Sequence, residues 1–119
     1  MMKTIMIRPD GAASVEEIPG IKVLKAHFSG PIELVMSPRL PSQVVMAVDE
    51  EGKINGLPKN DFGSWLYNSG LHGDIIVGDV FLVKIEQSPD SSCNVVGLVD
   101  ADIHDLVNRF QLELGPSGG

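Results

Sequence analysis

The chain has 119 residues, 43% of them hydrophobic and 21% charged, with a formal net charge of −7. This composition fits one folded domain and excludes a disordered chain. The single cysteine, Cys93, excludes an internal disulfide and any cysteine-rich zinc or iron–sulfur site within one chain.

No apolar run approaches the ~20 residues of a membrane span. The opening MMKTIMIRPDG is broken by Arg8, Pro9 and Asp10 too early for a secretory signal, so a soluble cytoplasmic protein is expected. Charge is uneven along the chain. Residues 1–70 are close to neutral, whereas residues 71–119 carry only Lys84 and Arg109 against eight Asp and Glu. Such a half repels nucleic acid, whose binding depends on Lys and Arg at the phosphates, and attracts a basic protein partner.

Residues 3–8 read as a strand, Pro9-Asp10-Gly11 as a turn and 14–18 as the return strand of a hairpin. Pro19-Gly20 breaks the chain. In residues 21–28, Ile21, Leu24 and Phe28 fall on one helical stripe, and Gly30 is placed to cap that helix in a left-handed conformation. Residues 32–36 are strand-like, 37–43 hold two prolines and form a loop, and VVMAV (44–48) is a strand. DEEG (49–52) is expected to turn, with Gly52 at positive φ, so that KING (53–56) pairs back as a short strand before the extended exit Leu57-Pro58.

Asn60 or Asp61 caps a short helix, 61–68, whose stripe of Phe62, Trp65 and Leu66 faces the core while Tyr67 points elsewhere. Residues 69–73 form a loop. Residues 74–87 form one long strand, or two meeting at Gly78, where a bulge or a close backbone approach is expected. Residues 88–92 form a loop tip and 93–97 the last strand. Asp100 is the expected N-cap of a final helix with Asp102 and Asp105 in its first turns and Ile103, Leu106, Val107 and Phe110 on its apolar stripe. The expected class is α+β: a single small domain over 1–114, with an antiparallel or mixed sheet and two or three short helices, then a disordered tail, 115–119.

EGKINGLPKN and DIIVGDVFLV together resemble the signature of the domain-of-unknown-function family 3846. The matching positions are Glu50, Glu51, Gly52, Gly56, Leu57, Pro58 and Asn60, then Asp74, Ile76 and Gly78, closed by the acidic-led helix from Asp100 to Phe110. The resemblance covers residues 3 to 110 and departs in the loops 37–43 and 88–92. It implies a bacteriophage or mobile-element origin and brings no catalytic residues with it.

Four kinds of chemistry are weighed on the residues themselves. His72, Asp74, Asp79, Asp100, Asp102 and His104 include a His-x-Asp pair able to chelate a divalent ion, but the spacing is too common to indicate a metal site. Cys93 with His27, His72 or His104 would make a thiol–imidazole pair, yet a lone cysteine beginning a strand is ordinarily a packed small hydrophobe. Lys53, Lys59 and Asn60 among glycines offer an anion cradle, against the plainer reading of turn glycines. Trp65 and Tyr67 beside Phe62 offer an aromatic contact surface, against core packing.

No catalytic residue, metal or cofactor is therefore expected. The expected function is a small phage-type accessory protein that binds and modulates a host protein, with Lys53, Lys59, Asn60, Trp65 and Tyr67 as the binding residues. One alternative is sequestration of a nucleotide-like defence signal by the same residues, accompanied by self-association to enclose the ligand. Another is an acidic mimic of DNA acting on a nuclease.

Overall fold

A computed structural model describes residues 1–28, 30–68, 73–90 and 92–116, the side chain of Cys93 excepted. His72, the thiol of Cys93, most of the expected 69–73 loop and residues 117–119 of the expected tail lie outside the described residues. The chain forms strands β1 (Met2–Ile7) and β2 (Ala13–Ile18), helix α1 (Ile21–His27), strands β3 (Ile32–Val35) and β4 (Val44–Asp49), and helix α2 (Asp61–Tyr67). Strands β5 (Val80–Gln87) and β6 (Cys93–Val96), helix α3 (Asp100–Phe110) and the two-residue strand β7 (Leu114–Gly115) complete it.

The strands make one mixed sheet in the order β3-β4-β5-β1-β2-β7, with β6 paired to the far end of β5. All pairs are antiparallel except β2 with β7. This is the expected α+β class with a mixed sheet. Period-two alternation divides the core in two. Ile5, Ile7, Val44, Met46, Val48, Val80 and Leu82 face α2 and α3, which contribute the buried Leu66 and Leu106. Met6, Val45, Ala47, Phe81 and Val83 face α1, which contributes Leu24, followed by Phe28. Because both faces are covered, the inner strands read as continuous apolar runs rather than as alternating ones.

Asn60 fastens α2 to this frame. Its Oδ1 accepts the Gly63 N–H at 2.8 Å as an N-cap, while Nδ2 donates to the carbonyls of Ile7 at 3.0 Å and Gly78 at 2.9 Å. Lys3 Nζ lies 2.8 Å from Asp100 Oδ1 and ties α3 to β1. That bond raises the Lys3 pKa above its ordinary value and holds the Asp100 carboxyl below the carboxylate range.

Several local expectations are corrected. KING (53–56) is not a strand. Residues 50–56 wind through consecutive turns, with Asn55 N–H donating to Glu51 O and Gly56 N–H to Lys53 O. The positive φ belongs to Gly56 (70°), not Gly52. Gly52 is instead needed for space, since a Cβ there would stand 2.8 Å from Val77 Cγ2. The strand-like pairing comes later, at the Lys59–Val77 bridge, where Asn60 N–H donates to Ile76 O and Gly78 N–H to Pro58 O. Gly30 is not a left-handed cap either, because α1 ends on an extended Phe28 and the bare Gly30 Cα makes room for Glu51. Gly78 does mark a close approach, at φ 76°. The N-cap of α3 is Val99, whose N–H donates to Asp102 Oδ2 at 2.9 Å; Asp100 is already inside the helix and held by Lys3. Gly115, placed in the tail from sequence, pairs with Ser14 in β7.

Candidate functional site

A concavity of about 450 Å³ opens at the end of the sheet beside β3. Its floor is the buried Val35, Val48, Ile76 and Val77. Its walls are Glu33 to Met36, the end of β4, Tyr67 at the end of α2, and residues 74–77. Met36 (75% exposed) and Ile75 (39%) are exposed apolar residues of this lining.

Four acidic residues line this cavity, Glu33, Asp49, Glu50 and Asp74, against one lysine, Lys53. Lys53 is itself paired with Asp74. Asp49 is nearly buried, and its Oδ1 accepts the Glu51 N–H at 2.9 Å. A concave site in which one sign of charge predominates over low-dielectric walls concentrates counter-charge, and the acidic residues predominate here. Among the described residues no group of three or more His, Cys, Asp or Glu is disposed to hold a metal ion.

The fold brings together two of the five residues singled out from sequence, Lys53 and Tyr67, in the lining of the cavity. The other three lie elsewhere. Lys59 pairs with Asp61 at 3.6 Å. Asn60 is fully buried, with its amide engaged by backbone. Trp65, expected in the core, is 47% exposed, with its ring against Phe62 and Phe110 and the Arg39 guanidinium 4.4 Å from its centroid. Tyr67, expected outside, packs against the core. The acidic half of the chain is partly neutralised within the fold, since Asp100, Asp102 and Asp105 meet Lys3, Lys84 and Arg109.

Glu33, Leu34 and Met36 escaped the sequence reading, and Glu50 entered it only as a position of the family resemblance. A signal was present in Ile-Glu-Leu-Val, an acid set among apolar residues, but only the fold brings it into one cavity lining with Asp74.

A second feature is the pair His27 Nε2 and Asp79 Oδ2 at 2.8 Å, with the His27 ring edge-on to Phe28 and Phe81. It stands between two shallow clefts of about 260 and 350 Å³. No Ser, Thr, Cys, Lys or Tyr side chain lines either cleft among the described residues, so the pair faces no nucleophile there.

Among the described residues no helix is long and apolar enough to cross a membrane. No curated protein and no solved structure matches the chain. The acidic turn, the Leu-Pro exit that meets Gly78 and the acidic-led last helix are now seen as parts of one frame. The model of the family described as Domain of unknown function (DUF3846) matches residues 2–111, and the chain belongs to that family.

Proposed function

We propose that this chain is a non-catalytic binding protein that docks a basic segment of a partner protein in the acidic cavity beside β3. The observation that carries this reading is the set of four acidic residues lining a cavity with an apolar floor, with the one lysine there paired to Asp74. A Lys or Arg side chain suits such a site twice: its methylene stem covers Val35 and Ile76, and its charged head meets the rim. Complementary charge accelerates encounter and excludes acidic competitors. Given the phage and mobile-element origin implied by the family resemblance, the partner is a host factor whose behaviour changes on binding.

The two alternatives draw less support. A nucleotide-like ligand would bring its phosphates into a predominantly acidic lining, and the amide of Asn60 is engaged elsewhere. A DNA mimic needs its acids in a ridge, whereas those of α3 are ion-paired.

The test is retention of host proteins by the wild-type chain and by a Glu33→Lys, Glu50→Lys double variant. Both side chains are exposed, so the fold is retained and thermal melting verifies it. The reading requires a protein held by wild type and lost by the double variant. Identical retention by both overturns it.

A further inference from the structure

We infer that the partner segment enters as an added β-strand on the open edge of β3, with basic residues on the cavity side and apolar residues on the other. The inference rests on the docking reading above and names the form of the docked segment.

Among the described residues strand β3 ends the sheet, and its only sheet partner is β4. The ladder shows which backbone groups remain open. Pro31 and Glu50 continue the register of Ile32 with Asp49, and Glu50 N–H donates to Pro31 O at 2.9 Å. Hydrogen-bonded and non-bonded pairs alternate in an antiparallel ladder, so Glu33 and Val35 turn their backbone groups toward β4, and Ile32 and Leu34 turn theirs away. The other side of β4 agrees. Gln43 and Ile85 continue the β4–β5 register, and Ile85 N–H donates to Gln43 O at 2.8 Å. Val45 and Ala47 therefore serve β5, which leaves Met46 and Val48 to serve β3. Among the described residues no other group bonds the backbone of Ile32 or Leu34.

An unpaired edge is a template for another strand, and proteins ordinarily blunt it with lysine, proline, a bulge or a covering element. Here Pro31 only precedes the strand, and the charge on the edge is Glu33. Glu33 shares its sheet face with Val35 and the cavity, and Leu34 shares the opposite face with Ile32. An incoming strand alternates in the same way. Its side chains on one face come beside Glu33, Glu50 and the cavity mouth, where Lys or Arg is matched. Those on the other face come beside Ile32 and Leu34, where Val, Ile or Leu is matched. Backbone bonds give affinity without sequence demand, and this alternation gives selectivity. A second copy of the chain does not fit, because pairing β3 with itself sets two acidic cavities against one another.

The test uses an end-capped peptide of alternating Lys and Val. One version is N-methylated on its valines and another on its lysines, which blocks opposite edges of the same strand while keeping every side chain. Binding is read by fluorescence anisotropy and by amide hydrogen exchange. Strand addition requires the parent peptide to bind and to slow exchange at Ile32 and Leu34. It also requires one methylated version to weaken about tenfold or more and the other to bind as the parent does. Equal binding by both methylated versions overturns strand addition while leaving side-chain docking in the cavity intact. Absence of binding by the parent overturns the inference, whereas the docking reading answers separately to the Glu33, Glu50 retention experiment. A dimer of the free chain protected at the same two amides also overturns it, because the edge is then occupied by a second copy.

Discussion

Leu57 lies directly over Gly78, so that a Cβ built on Gly78 would stand 2.8 Å from Leu57 Cδ1. Gly78 also holds φ at 76°, a value that side-chain-bearing residues adopt only under strain. Gly78→Val is therefore expected to destabilise twice over, by about 1–2 kcal/mol from the left-handed backbone and about 1–3 kcal/mol from overpacking. The urea midpoint measures the effect. An unchanged midpoint would show that Leu57 and the turn yield freely, and the contact would then have no structural role.

Asn60 holds three backbone groups at once, the Gly63 N–H and the carbonyls of Ile7 and Gly78. Asn60→Ala leaves them unpaired in a buried place, at about 1–3 kcal/mol for each one that water cannot reach. Asn60→Asp keeps the cap but turns a carboxylate toward two carbonyls. Burial raises the pKa of the new carboxyl in the folded state. Its penalty is thus fully present at neutral pH and relieved as pH falls through that raised value. Melting curves from pH 7 to pH 4 check this, and a penalty independent of pH would refute it.

The Lys3–Asp100 bond predicts a small dependence on acid. Hydrogen bonding by Lys3 lowers the Asp100 pKa in the folded state, so the unfolded chain takes up its proton first as pH falls. The stabilisation is complete above the ordinary carboxylate pKa, about 4, and disappears as pH drops through the lower folded value. Asp100→Asn should melt below wild type at neutral pH and converge with it in acid. Curves that stay parallel throughout would remove the bond from the pH response. Lys3 gives the opposite limb, with its raised pKa, and its share is lost only as pH rises through that value.

Trp65 is a test of separation between sites. Its ring joins Phe62 and Phe110 and lies under Arg39, away from the residues that line the β3 cavity. Trp65→Ala is expected to destabilise by about 0.5–1.5 kcal/mol for the lost aromatic pairing, beyond its area term, and to leave capture of a basic segment unchanged. Weakened capture at equal foldedness would move the binding surface onto α2.

The clearest elements in the sequence were those whose own residues decide them. Asp102, Ile103, Leu106 and Phe110 carry both the acidic first turn and the apolar stripe of α3, and VVMAV has too many β-branched residues for a helix of its length. KING failed because a glycine on either side suggests a hairpin, whereas Gly52 is present for the side chain of Val77, a contact made across the fold. Trp65 and Tyr67 exchanged places because a helix of seven residues has several apolar faces to offer, and the neighbour decides which is used. The cavity was only half legible. Lys53 and Tyr67 stood out by type, but that Glu33 and Asp74 line one cavity depends on the tertiary fold, which no local pattern records.

The order of strands in the sheet has a dynamic consequence. Phe81 and Leu82 are flanked by strands on both sides, by Met6 and Ile5 and by Ala47 and Met46, so their amides can exchange with deuterium only when the whole domain opens. At the border, β3 can loosen while this spine stays closed. A strand added at that margin, as proposed, would leave this centre closed.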